Sequence, residues 1–213
     1  MELLILKICT IFFYLSLVLE LTVWHVPSVA SSRGIFASEE EIVGVYSLEF
    51  QKFFAMPRWK KILFFIVPLA FIYLAYVYPI QLIFGFNFGM KPLFEPDSIT
   101  TYAACLMILF GRMISLASVW KIRQNNEQKG DSFELHTDGF FGRFRNPGLL
   151  GLYISFAGFW LVMPQPFFAL CLLIYVRYMH EKVLMEEDFL RNKFGIAYDK
   201  YYATTNRYLP LKK

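Results

Sequence analysis

The sequence predicts an all-α fold: a polytopic integral membrane protein of about five transmembrane helices, the last two forming a C-terminal helical hairpin. Three observations predict it. Of 213 residues, 57% are hydrophobic, 19% are aromatic and only 18% are charged, against about 45–50% apolar and about 25% charged in ordinary soluble domains. The apolar residues fall in runs, several of them long enough to cross a bilayer. Basic residues collect at the ends of those runs, as they do at a cytoplasmic membrane edge. The net charge of +4 fits membrane orientation, and no nucleic-acid-binding motif accompanies it. Cys9, Cys105 and Cys171 all lie in apolar runs and have no CxxC or zinc-type spacing, so neither a disulfide framework nor a metal site is indicated. His25, His136 and His180 are scattered, with no HExxH.

The first apolar run is Leu3 to Val26. It is long for a secretory leader and begins Met-Glu-Leu-Leu, without a basic n-region. It therefore reads as a retained transmembrane helix, although Ser28-Val29-Ala30 resembles a cleavage site. Residues 27–61 are polar to mixed. Glu39, Glu40 and Glu41 suit the positive end of a helix dipole. Ile42, Val43, Tyr46, Phe50, Phe53 and Phe54 then recur at helical intervals up to Pro57, which fits a helix lying on the membrane surface or a plain connector.

Arg58-Trp59-Lys60-Lys61 precedes the second span, Ile62 to Phe86, in which Pro68 and Pro79 are expected to bend the helix. The third span is Ile99 to Trp120, followed by Lys121, Arg123 and Lys129. Both basic flanks then face the cytoplasm, and the polar stretch Lys121 to Asn146 reads as a cytoplasmic loop. Gly148 to Met163 and Phe167 to Met179 are shorter apolar runs around Pro164-Gln165-Pro166. Each falls short of the roughly 20 residues of a spanning helix, and together they read as the hairpin. The charged tail from His180 ends on the cytoplasmic side.

Polar and charged residues bracket this hairpin, and in a lipid-embedded chain such groups mark a site. Before it stand Gly139 to Pro147, GFFGRFRNP; after it stand Glu186 to Leu190, EEDFL, and Lys193 to Tyr202, KFGIAYDKYY. Gly139 and Gly142 let backbone approach a ligand closely. Pro147 suits the first turn of a helix and Asn146 its N-cap, and a helix start also receives carboxylates. Lys182 and Glu186, at i and i+4, share a helix face. Arg112 stands in the middle of the third span, where a guanidinium needs a partner or a water-filled cavity.

These features resemble the isoprenylcysteine carboxyl methyltransferase family and the related phospholipid methyltransferases. From Asn126 to Pro210 their order is the same: a polar loop, Thr137-Asp138-Gly139, Arg145-Asn146-Pro147 before the hairpin, EExxL, FGxxYxxY, and a closing Arg207 to Pro210. The resemblance implies two parts: residues 1–120, N-terminal transmembrane helices and connector, and residues 121–213, a methyltransferase-like catalytic region with a cytoplasmic cofactor pocket. It implies S-adenosylmethionine as cofactor, held by Asn126, Phe133, Glu134, Leu135, His136, Gly139, Phe141, Asn146, Pro147, Gly148, Leu149 and Glu186. Lys182, Glu187 and Arg145 take the catalytic positions, with Arg112 and Lys182 toward the substrate. No metal is implied.

The chain departs from the family pattern in several places. Phe133 replaces a His, Phe141 a Tyr, and Asn146 and Leu149 stand for the His and Tyr of an H-P-x-Y stretch. Lys182 stands where prenylcysteine enzymes have Arg, which is not equivalent at a bidentate carboxylate site. The implied acceptor is an isoprenylcysteine carboxylate or a similar lipophilic molecule entering from the bilayer. Alternatives are a phospholipid amine or thiol, an NADPH-dependent sterol-reductase-like reaction, or a non-catalytic relative. A carboxylate is already nucleophilic at neutral pH, whereas an amine needs a base such as Glu187 or His136. The expected location is the endoplasmic reticulum in a eukaryote and the inner membrane in a bacterium.

Overall fold

The computed structural model describes residues 2–19, 57, 66–67, 69–85, 91–129 and 135–208, with 123–129 by backbone alone. It is all-helical there. The helices are α1 (Glu2–Leu19), α2 (Leu69–Phe84), α3 (Ser98–Lys129), α4 (Pro147–Val162), α5 (Pro166–Phe194) and α6 (Ile196–Thr204). Glu2–Leu19 and, within α3, Ser98–Ile122 are long and apolar enough to cross a membrane; α2 and α4 are shorter apolar helices. The expected surface helix over 39–54, Pro68, and the basic flank Arg58 to Lys61 lie outside the described residues.

Packing begins with α3 and α4, the most closely paired elements. Ala104, Gly111, Ser115 and Ser118 on α3 face Gly148, Gly151, Ser155 and Gly158 on α4, so the backbones come together along a seam of small residues. A Cβ placed on Gly111 would stand 2.4 Å from the Gly151 carbonyl oxygen, and one on Gly158 would stand 2.8 Å from that of Ala104. The order of contacts, Ser118 with Gly148 and Ala104 with Gly158, makes the two helices antiparallel. Ser155 Oγ donates across the seam to the Ile108 carbonyl at 3.0 Å. Small residues are what membrane helices use where van der Waals contact must replace the hydrophobic effect.

The core is aromatic. Phe13 of α1 meets Phe156 and Phe159 of α4 at 5.9 and 5.1 Å between ring centres, so α1 is packed into the bundle. In α2, Tyr73–Val77 forms a π-helical turn, with the Tyr78 amide bonding back to the Tyr73 carbonyl. Pro79 follows within the next turn. Its ring would strike a carbonyl of the preceding turn in regular helix, and the wide turn makes room, so α2 passes through the proline where a simple kink was expected. Tyr14 Oη of α1 donates to the Leu74 carbonyl in that turn at 2.7 Å.

Asp97 caps α3: its Oδ1 accepts from the Thr100 amide at 2.8 Å. At its other end α3 runs on to Lys129, so the expected loop from Lys121 begins instead as helix. Lys121 to Lys129 contains no proline or glycine and is rich in helix-forming Arg, Gln, Glu and Lys, which explains the extension. α4 and α5 are joined through Met163–Gln165 and touch where Tyr153 and Phe156 meet Tyr175. α5 continues well past its apolar half, to Phe194. Gly195, at φ +53, ψ −125, breaks it from α6 with a backbone conformation that side chains resist.

Candidate functional site

The polar ends of α4 and α5 meet the C-terminal segment at one place. Phe144 and Asn206 form a parallel bridge. The Arg145 amide donates to the Asn206 carbonyl at 2.8 Å, and the Asn146 amide to the Arg207 carbonyl at 3.3 Å. The segment after α6 is thereby laid alongside the run into α4. Tyr201 Oη donates to the Phe141 carbonyl at 2.8 Å and adds a second tie from α6.

At the centre is Glu187, 5% exposed. Arg145 Nε and Arg207 Nε both donate to its Oε1 at 2.9 Å, and Arg207 also reaches Oε2. Arg145 in addition donates to the carbonyls of Tyr202 and Thr205 and stacks its guanidinium 4.1 Å from the Tyr202 ring centre. Burial pushes the Glu187 carboxyl up, but hydrogen bonds and charge from Arg207 and Arg145 outweigh it and hold the pKa below its usual value. Both oxygens are engaged and the group stays ionised. The expectation of Glu187 as a proton-accepting base is thus replaced by an anchor joining three chain segments.

Glu186, the next residue, reaches solvent. The protein around it nonetheless desolvates its carboxyl and, with Glu187 alongside, raises its pKa. Surface exposure decides whether a ligand can reach it; the dense surroundings decide its proton affinity. Lys182, a turn earlier, lies 5.6 Å from the Tyr178 ring centre.

The start of α4 is different from its expected form. Pro147 occupies the first turn, but the Asn146 side chain makes no cap hydrogen bond. Its backbone is held at ψ 60 by the pairing with Arg207, outside the extended geometry a side-chain cap uses. The amides of Gly148 and Leu149, both half-buried, therefore begin the helix without a cap from Asn146. Upstream, Gly139–Gly142 forms a 3₁₀ turn with Gly139 at φ +59. Lys121 Nζ of α3 binds Asp138 Oδ2 just before it at 2.7 Å, and this hydrogen bond lowers the Asp138 pKa. Half-buried His136 stands 5.9 Å from Phe141, ring centre to ring centre.

The run into α4, the charged half of α5 and the segment after α6 form a polar rim; of the residues expected in the site, Arg145 to Leu149, Glu186 and Glu187 lie on it, and Leu135, His136, Gly139, Phe141 and Lys182 lie on the segments leading to it. Asn126 is on the last turns of α3, and Phe133 and Glu134 lie outside the described residues. Arg112 is elsewhere. It is fully buried between α3 and α1, donating from Nε to Ser16 Oγ at 2.6 Å, with its guanidinium 5.7 Å from the Phe13 ring centre. Arg207, Tyr201 and Tyr202 were not expected as site residues. Their signals were present, in the closing Arg207 to Pro210 and the paired tyrosines of FGIAYDKYY, but no partner could be assigned to them from spacing.

Residues 99–197 match the phospholipid methyltransferase family model. The match runs from the first turn of α3 to the first turn of α6 and takes in Arg145, Glu186 and Glu187. It is to a family of membrane methyltransferases, and it supports that class without the isoprenylcysteine specificity. No curated protein and no solved structure matches the chain.

Proposed function

We propose that this protein is an integral membrane methyltransferase that uses S-adenosylmethionine and modifies a lipophilic acceptor drawn from the bilayer. The observation that carries the proposal is the phospholipid methyltransferase match over residues 99–197, which spans α3, α4 and α5 and includes Arg145, Glu186 and Glu187. The same match favours a phospholipid amine as acceptor over an isoprenylcysteine carboxylate. The lysine at 182 points the same way, since it offers a point charge where a carboxylate is better held by an arginine fork.

The residues of the rim fit the amino-acid part of the cofactor. The uncapped amides of Gly148 and Leu149 suit its carboxylate, and the exposed carboxylate of Glu186 suits its amino group. His136 and Phe141 offer ring faces for the adenine. S-adenosylmethionine supplies a methyl group on a sulfonium, open to in-line attack. The protein's own part is then orientation. Arg145 and Glu187 fix the rim, and Lys182 stands on the acceptor side.

The test is calorimetric titration of detergent-purified protein with S-adenosylhomocysteine, with NADPH in parallel. Saturable binding of the first supports the proposal and justifies transfer assays with phosphatidylethanolamine, prenylcysteine and thiol acceptors. Binding of NADPH alone would move the protein to the reductases, and binding of neither would sink the enzymatic reading.

A further inference from the structure

The segment after α6 is bonded back onto the run into α4. It supplies two backbone carbonyls to the run into α4, at Asn206 and Arg207, and a third, at Thr205, to the Arg145 guanidinium, which also takes the Tyr202 carbonyl at the end of α6. Its Arg207 side chain takes both oxygens of Glu187. The groups in contact are therefore ordered as a chain: Arg207 holds Glu187, Glu187 holds Arg145, and Arg145 opens the run to Gly148 and Leu149. Glu186 follows from the same arrangement, because its place on α5 is fixed when its neighbour is clamped. The matched family region stops at residue 197, before any of these tail residues.

We propose that Thr205–Tyr208 is a built part of the methyl-donor site and that Arg207 is a positioning residue, setting the α4 rim and Glu186 through Glu187. The inference rests on the donor-binding role proposed above. The clamp is tight because it is buried and bidentate: the Arg145 and Glu187 side chains are each 7% exposed and that of Arg207 is 23% exposed. Such a geometry orients its partners more strictly than a point charge would.

The titratable surroundings of Glu187 are Arg145 before α4, Arg207 and Tyr208 on the tail, Glu186 on its own helix, and Tyr198 and Tyr201 on α6. Of these only the two arginines favour the carboxylate. Removing Arg207 therefore leaves burial less opposed and raises the pH at which Glu187 takes a proton. Donor binding that depends on the clamp must then fail at a higher pH than in the wild type.

The experiment compares wild type, Arg207→Gln, Arg207→Lys and, as a surface control on α5, Arg177→Ala. Two readouts are taken: S-adenosylhomocysteine affinity across pH, and hydrogen exchange at the Arg145 and Asn146 amides. The expected result is affinity weakened on the order of tenfold in Arg207→Gln, an acid limb of the binding profile moved to higher pH, partial rescue in Arg207→Lys, and faster exchange at both amides. Arg177→Ala should match the wild type. Unchanged affinity and pH profile in Arg207→Gln would overturn the positioning role, even if exchange quickened. Unchanged exchange would overturn the clamp itself. If the wild type bound no S-adenosylhomocysteine, the donor-binding reading would fail, and the exchange data would judge the clamp separately. If Arg207→Gln failed to fold, Arg207→Lys carries the same comparison, and full affinity with a wild-type pH profile there would count against the proposal.

Discussion

Arg145 donates from Nε to Oε1 of Glu187 at 2.9 Å, joining the start of α4 to the charged half of α5. The two residues are 42 positions apart in sequence and meet where the run into α4 lies against the charged half of α5. Neither charge is accessible, so the pair persists only because each satisfies the other and Arg207 completes the set.

Removing the carboxylate is expected to be costly. Glu187→Ala leaves two guanidiniums facing one another without their counterion, and the loss should be about 3–5 kcal/mol, the usual result of removing one member of a buried ion pair. Thermal unfolding in detergent reads it. A loss below about 1 kcal/mol would mean that water enters and replaces the carboxylate.

Acid should weaken the fold through the same residue. The Glu187 pKa lies lower in the folded protein than in the unfolded chain, where it is about 4.3. Its contribution is complete above that value and is lost as pH falls through the depressed folded value. Wild-type melting temperature should therefore fall below about pH 4.3 more steeply than that of Glu187→Gln. Parallel curves would assign acid sensitivity to other groups.

Glu186 works in the opposite sense. Its raised pKa means that the folded state disfavours its charge, so Glu186→Gln should raise the melting temperature at neutral pH. The same substitution should abolish S-adenosylhomocysteine binding while leaving membrane insertion intact, a trade of stability for function common at binding sites. Retained binding would remove Glu186 from the cofactor site.

Lys182→Ala separates the two ligands. It should raise KM for the acceptor and leave S-adenosylhomocysteine affinity unchanged. Equal loss of both would place Lys182 on the cofactor side.

The small-residue seam offers a test independent of chemistry. Gly111→Ala puts a methyl 2.4 Å from the Gly151 carbonyl oxygen, and overpacking of this kind costs about 1–3 kcal/mol. Gly148→Ala meets only Ser118 Cβ, at 3.6 Å, and should fold normally. If both variants unfolded at the wild-type temperature, the α3–α4 contact would be looser than described.

The sequence by itself determined what depends on local pattern. The apolar runs placed α1, α3, α4 and α5, Pro147 marked the start of α4, and the polar brackets pointed to Arg145, Glu186 and Glu187 as one region. It could not tell that α3 runs on past Trp120, because hydropathy marks where lipid ends and a polar helix simply continues beyond it. Tertiary structure alone decided the partners. An arginine in a span reads as a site, yet Arg112 is taken up by Ser16 of α1; a pair of glutamates reads as a functional unit, yet Glu187 is clamped while Glu186 is left exposed. Arg207 became the partner of Glu187 only when the parallel pairing with Phe144–Asn146 brought its segment beside α4. The physical reason is that periodicity and capping are set by neighbours in sequence, whereas a buried charge takes its role from whichever segments the packing delivers to it.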